Sequence, residues 1–357
     1  MTATGCGVLP TKSLIWEIFF VSYSKPYEPV NQESNREKYM KILMFGRGVI
    51  SIQYAWAFEK SGHEVEFYVR PGRKAEYGAT VTLNVLDARK KIKGVSIREE
   101  WPVTMVEDFN AGHDYDLIIV SVQHYHFKKA AEFLSDKAGR ATLLLFNNFW
   151  EEPLEQAAKL PADHLVWGFP MAGGGFDNKG VLNGTLWGSI TIGTFGTEPS
   201  ERAVAVMDLF KSAGFKSKVI KDFRSWLFGH FIMNAAMHLE TLKYGARFDL
   251  DSLQTTKHWK NIIANGKELL PLLRARNVNI NASPDLKMFS LPPWLLSFVM
   301  KIVMKCLPSV KQIFTGHSNH DELQSYCVDV ISKAKELNVE LPGYKKCYAL
   351  IEAQEQP

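Results

Sequence analysis

Three polar side chains interrupt the apolar stretch from Trp226 to Leu242: His230, Asn234 and His238. Their spacing of four residues puts all three on one face of a helix. Such a stripe faces either water, with its polar groups solvated, or a polar cleft. In a cleft it would supply an imidazole that titrates near neutral pH, an amide that both donates and accepts, and a second imidazole. Two histidines also raise the question of zinc. Asparagine is a poor zinc ligand, however, and no carboxylate completes a familiar ligand spacing, so no metal is expected.

The elements that would face this stripe begin at Lys41. Lys41 to Phe45 reads as a short buried strand, Gly46-Arg47-Gly48 as a tight turn, and Gln53 to Lys60 as a helix ending at Gly62. Glu64 to Val69 reads as the next strand. Strand, glycine turn, helix and strand in this order form the first half of a dinucleotide-binding βαβ unit. Gly46 permits the turn, and Gly48 lets backbone N–H groups approach a pyrophosphate. The helix start at Val49 and Ile50 offers unpaired N–H groups and a positive dipole end to the anion. Ser51 stands where a third glycine is usual, and is expected to widen the helix–strand approach slightly. The plainer alternative is a structural glycine turn.

The second strand ends at Arg70-Pro71-Gly72-Arg73-Lys74. An acid here would bind the adenosine ribose 2′-OH and mark NAD. Arg70, Arg73 and Lys74 instead place cations where a 2′-phosphate would lie, and arginine holds phosphate bidentately. NADPH is the expected cofactor, against a merely solvated basic turn. Asp116 to Val122 is an unbroken apolar run, as in a parallel strand buried on both faces. It ends at Gln123, and a helix from about Tyr125 to Leu134 follows. Ala141 to Phe146 is the next buried strand, ending at Asn147-Asn148. Ligands of open α/β sheets sit beyond the carboxyl ends of strands, so Gln123 and Asn147 are placed to face the nicotinamide end.

Thr80 to Asn110 carries short alternating pieces that predict extra strands. Leu165 to Gly168, Val181 to Trp187 and Ser189 to Phe195 read as further strands. Between the first two, Phe169 to Phe176 includes Ala172 and three consecutive glycines, which either line the cofactor or form a flexible turn. A helix from Ser200 to Ala213 and a strand at Lys216 to Ile220 would close the first domain. Beyond Asp222 the pattern is all helical: Trp226 to Leu242, about Thr256 to Arg276, Pro293 to Lys305, Asp321 to Leu337, and Gly343 to Ala353.

The fold class is thus α/β: a Rossmann-type NADP-binding domain over 40–221, then an all-helical domain for substrate and dimerisation over 222–357. Residues 1–39 are expected to be a disordered extension or an upstream start outside the fold; the alternative is a helix from Lys12 to Tyr23 packed on the outside. The 357 residues carry 46% hydrophobic and 22% charged side chains with a net charge of +4, which does not indicate a nucleic-acid binder. Cys6, Cys306, Cys327 and Cys347 show no metal or redox spacing and read as reduced thiols of a cytoplasmic protein. Leu14 to Tyr23 is too short to span a bilayer, and Lys301 and Lys305 interrupt the apolar run from Pro293 to Leu307, so no membrane anchor is expected.

This order of elements resembles the ketopantoate reductases, NADPH-dependent enzymes that reduce a 2-oxo acid. The resemblance runs from Met40 to about Glu352. It is carried by Gly46-Arg47-Gly48, Arg70, Asp116 to Gln123, Phe146-Asn147-Asn148, the Trp226-to-Leu239 helix, and Glu322 in Glu322-Leu323-Gln324-Ser325. It implies substrate held in a cleft between the two domains, and a homodimer. Arg70 would bind the 2′-phosphate, Asn147 the nicotinamide or substrate, and Asn234 the substrate. Glu322 would complete the polar cleft. The family's strand-end lysine is Gln123 here, its catalytic lysine is His230, and a second helix asparagine is His238. The Ser-rich substrate loop has no counterpart near Pro308 to Thr315.

The chemistry implied is hydride transfer to a carbonyl or imine. His230 would act as proton donor, with a carboxylate such as Glu322 beside it to favour the imidazolium. Asn234 would orient the carbonyl, and His238 would donate or bind a substrate carboxylate. The alternative is a catalytically silent NADPH-binding sensor or scaffold.

Overall fold

The computed structural model describes residues 39–245, 248–316 and 319–355. The expected extension over 1–39 lies, except for Tyr39, outside the described residues. An eight-stranded sheet dominates the first half. Its first strand, β1 (Lys41–Phe45), pairs in parallel with β2 (Glu64–Tyr68) on one side and β6 (Leu117–Val120) on the other. From β2 the sheet ends at β5 (Thr104–Val106). From β6 it continues through β7 (Thr142–Leu145), β8 (Leu165–Phe169), β11 (Ser189–Gly193) and β12 (Lys216–Ile220). All pairs are parallel except β8 with β11. The order reverses between β1 and β6, which makes their carboxyl ends the crevice where ligands of such sheets bind. β6 and β7 are buried at every position, as their unbroken apolar runs require.

Helix α1 (Val49–Glu59) leaves the turn after β1, and Gly62 ends it in the left-handed region at φ +89°. The β2 end leads into the short α2 (Arg73–Tyr77). A four-stranded sheet follows in the order β4 (Val95–Pro102), β3 (Thr80–Ala88), β10 (Leu182–Trp187), β9 (Ala172–Phe176). The three glycines therefore lie in a strand, and the flexible-turn expectation is wrong. A Cβ on Gly174 would lie 2.1 Å from the Asn183 carbonyl oxygen, so the neighbouring strand leaves no room for a side chain. After β6, the chain makes a 3-10 turn at His124–His126 before α3 (Phe127–Leu134). Two further helices, α4 (Pro153–Gln156) and α5 (Glu201–Ser212), complete this half.

The second half is helical: α6 (Phe223–Leu242), α7 (Thr256–Ala275), α8 (Pro293–Cys306), α9 (Pro308–Gly316), α10 (His320–Glu336) and α11 (Pro342–Glu355). Asp222 caps α6 by accepting from Ser225 N–H at 3.2 Å. The helix buries Phe223, Trp226, Leu227, Phe228, Phe231, Ile232 and Leu239. Each contributes about 1.5–3 kcal/mol by removal from water, which explains why the helix runs through the core rather than over the surface. No single helix among the described residues is long and apolar enough to cross a membrane.

Two devices hold the helices against the sheets. Glu152, in the loop after β7, accepts from Arg224 Nε and Nη2 at 2.7 Å each and from Arg276 Nη2 at 3.3 Å. Arg276 also lies 3.8 Å from the Phe228 ring centroid and 4.5 Å from that of Trp150. On the other side, α9 occupies the stretch with no expected counterpart and seats on the glycine strand. A Cβ on Gly173 would meet Ile313 at 3.3 Å, and Gln312 Nε2 donates to the carbonyls of Asn84 and Gly184 at 2.7 and 2.9 Å.

Candidate active site

The turn after β1 is shaped by Gly46 at φ +104°, and its N–H donates to the Tyr68 carbonyl at 3.0 Å. Cβ atoms built on Gly46 and Gly48 would meet nothing within 4 Å, so the backbone faces open space in front of α1. Gly48 caps α1 without a side-chain bond, which leaves the N–H groups at Val49 and Ile50 to an anion. Ser51 does more than replace a glycine: its hydroxyl sits 2.8 Å from that of Ser121 and ties α1 to the end of β6.

Arg47 swings from the turn toward α2, with its guanidinium carbon 4.8 Å from the Tyr77 ring centroid and Nη2 donating to the Thr80 carbonyl at 3.2 Å. Its Nε is buried with no partner, and burial pushes its pKa down. Arg73 lies at the same 4.8 Å from the Tyr77 ring, donates to its hydroxyl at 3.0 Å, and pairs with Glu76 at 2.5 Å. Arg70 is exposed at the β2 end and has no ion pair among the described residues. These are groups that an adenosine 2′-phosphate would satisfy.

Gln123, half-buried, opens the 3-10 turn after β6. Asn147 follows β7 and is 1% exposed; its amide donates to the Val122 carbonyl at 2.6 Å, and its Oδ1 is buried without a partner. An unmatched buried acceptor of this kind fits the N–H of a nicotinamide carboxamide. Ala172, half-buried, opens β9.

Across from the strand ends stands α6. The His230 ring stacks on Trp226 (centroids 5.0 Å apart, 12° between planes) and meets Phe169 at the end of β8 at 4.7 Å. Its carboxylate partner is Asp285, with Nδ1 to Oδ2 at 2.7 Å, and not Glu322 as expected. Asp285 is buried in the 3-10 segment Pro284–Ser290, 55 residues away in sequence, which is why no local spacing revealed it. Glu322 instead sits in the first turn of α10, where Asn319 caps its N–H at 3.3 Å and its charge acts on Tyr125 and Tyr326. The His238 ring meets Tyr326 edge-on at 4.7 Å, and Asn234 acts to lower the pKa of the same tyrosine. The stripe is therefore not a solvated face.

Sequence reasoning missed Tyr326, Asn148, Asp285 and His124. Asn148 Nδ2 donates to Tyr326 at 3.1 Å, and His124 Nε2 pairs with Asp329 at 2.8 Å beside the same tyrosine. Tyr326 had a signal, being four residues after Glu322 on the same helix face; an apolar period hides it. Among the described residues no group of histidines, cysteines and carboxylates is arranged to hold a metal.

A family model described as Ketopantoate reductase PanE/ApbA matches residues 42–197. No curated protein matches the chain. Among solved structures, a PanE/ApbA family ketopantoate reductase from Ralstonia eutropha JMP134 is similar at 17% identity and TM-score 0.61, covering 88% of this chain and 98% of that one. A D-mandelate dehydrogenase in a ternary structure with NADH and anilino(oxo)acetate reaches TM-score 0.63 at 16% identity, covering 88% and 98%. A 2-dehydropantoate 2-reductase from Geobacter metallireducens GS-15 reaches 0.62 at 13%, covering 88% and 100%. At these identities the structural likeness establishes the fold. The family match adds that residues 42–197, the dinucleotide-binding part of the chain, are similar to the ketopantoate reductases.

Proposed function

We propose that this protein is an NADPH-dependent oxidoreductase that reduces a 2-oxo acid, or a related carbonyl or imine, of small size. The observation that carries this reading is the meeting of two sets of groups. The helical stripe meets Phe169, the last residue of β8, through His230, and through His238 it meets Tyr326, which accepts from Asn148 beyond the end of β7; the turn after β1 is open. The bound cofactor would supply the hydride. Gly46, Gly48, Val49 and Ile50 would present backbone N–H groups to its diphosphate, Arg70, Arg47 and Arg73 would take the 2′-phosphate, and Asn147 Oδ1 the carboxamide.

His230 holds the proton. With Nδ1 donating to Asp285, Nε2 is the nitrogen left to give a proton to an oxygen that gains charge as the carbonyl carbon is reduced. Trp226 and Phe169 fix the ring plane and keep water from two of its sides. Asp285, 7% exposed, holds the imidazole in that orientation. His238 and Asn234 shape the wall beside it.

The test is titration calorimetry with NADPH and NADH, followed by NADPH oxidation across a panel of 2-oxo acids, ketones and imines, 2-dehydropantoate first. His230→Ala is expected to lower kcat about 100-fold or more with NADPH affinity unchanged. Unchanged turnover would rule out His230 as the acid. Tight NADPH binding without oxidation of any panel member would instead make the protein a silent cofactor binder.

A further inference from the structure

Helix α8 has two sides of opposite character. Inward, Leu296, Val299, Met300 and Val303 are buried, and the Ser297 hydroxyl lies 3.1 Å from that of Thr256 at the start of α7. Outward, Trp294, Phe298, Lys301 and Lys305 follow one another at four-, three- and four-residue steps, which sets them in a single stripe. Trp294 is 61% exposed and Phe298 56%, and Trp294 is the most exposed large hydrophobic side chain among the described residues. Two aromatic rings held out in water on one helix face mark an interaction surface. The charge around them has one sign. From Leu286 to His320 the sequence holds four lysines and no acidic residue. The chain bends by 104° between α8 and α9, and at this corner Ser309 Oγ donates to the Ile92 carbonyl in the loop from β3 to β4 at 2.5 Å. That loop adds the exposed Lys90, Lys91 and Lys93, and the half-exposed Val95 follows them. Arg89 is neutralised by Asp87 at 2.8 Å, whereas the loop lysines, Lys301, Lys305 and Lys311 have no ion pair among the described residues.

We propose that this corner docks on an anionic lipid bilayer, with the Trp294 and Phe298 rings at the acyl boundary and the lysines on headgroup phosphates. The inference is independent of the reductase reading. Lys301 and Lys305, which bar α8 from spanning a bilayer, are what a helix lying on one requires. Tryptophan favours the membrane interface, and lysine stems run along apolar surface while the ammonium stays in water. Two rings and a basic patch give reversible attachment that salt weakens. A second copy of the chain fits this face less well. A two-fold contact sets the same patch against itself, so the lysines of both copies would meet with no acid between them.

Co-sedimentation of the full chain with lipid vesicles tests this. Vesicles of phosphatidylcholine with about one third phosphatidylglycerol should retain the protein at low salt, and pure phosphatidylcholine should retain it about 10-fold less. Lys301→Gln combined with Lys305→Gln should weaken binding to the anionic vesicles about 25-fold, from about fivefold for each lysine near such a surface. Trp294→Ser should weaken it about 10-fold at low and high salt alike, because the loss is apolar area and not charge. All three positions are exposed, so both variants should keep the wild-type melting temperature. Failure of the wild type to bind the anionic vesicles overturns the proposal, as does binding that both variants leave within about twofold. A wild-type dimer in light scattering that Trp294→Ser turns into a monomer also overturns it, and makes the face a contact between copies of the chain.

Discussion

Glu152→Gln is the sharpest test of how the helices are held over the sheet. Glu152 is one third exposed and receives both Arg224 donors at 2.7 Å and Arg276 at 3.3 Å. Glutamine keeps the shape, removes the charge and turns an N–H group toward the guanidinium groups. Arg224 is 30% exposed, so water replaces most of what it loses. Arg276 is only 6% exposed and keeps the Trp150 carbonyl, the rings of Phe228 and Trp150 and the nearby charge of Glu151. Stranding a buried charge costs about 3–5 kcal/mol, and those remaining contacts reduce the figure to about 2–4 kcal/mol. At roughly 2–4 °C per kcal/mol, the melting temperature should drop by about 5–10 °C in thermal unfolding followed by circular dichroism at pH 7.

The pH dependence carries a sign. Arg224 foremost holds the Glu152 carboxyl below its ordinary value, against the effect of burial. Its stabilisation is therefore complete above the unfolded-state value of about 4.3 and lost as pH falls through the lower folded value. The gap between wild type and Glu152→Gln should shrink in acid. A loss below about 1 kcal/mol at pH 7, or a gap that stays constant into acid, would refute the argument that Arg276 depends on this carboxylate.

Two further outcomes follow from single positions. Arg47→Ala should weaken NADPH binding about 10-fold and leave NADH within about twofold, measured by calorimetry; an equal effect on both would place Arg47 at the diphosphate instead. Gly193→Ala would put a Cβ 2.0 Å from Phe223 Cγ, a ring fully buried at the start of α6, so the urea midpoint should fall by the equivalent of about 3 kcal/mol. A midpoint within experimental error of wild type would mean that α6 slides freely on β11.

What could be read without coordinates was local. The turn at Gly46 to Gly48, the helix ending at Gly62 and the buried runs of β6 and β7 follow from backbone freedom and burial over a few residues. The same holds for the cations that replace an acid after β2. The four-residue period of His230, Asn234 and His238 likewise needs only helix geometry. What the side chains of that stripe meet is not local. Asp285 reaches His230 across 55 positions, and Asn148 reaches Tyr326 across 178. Gly173 to Gly175 look like a turn until β10 and α9 close on them from either side.

Residue types and periods thus determined the α/β order, the dinucleotide turn and the face on which polar groups would gather. The tertiary structure alone decided which carboxylate orients His230 and what Asn148 touches. Hydrogen bonds of 3 Å between distant segments depend on how whole elements pack, and no window of sequence contains that distance.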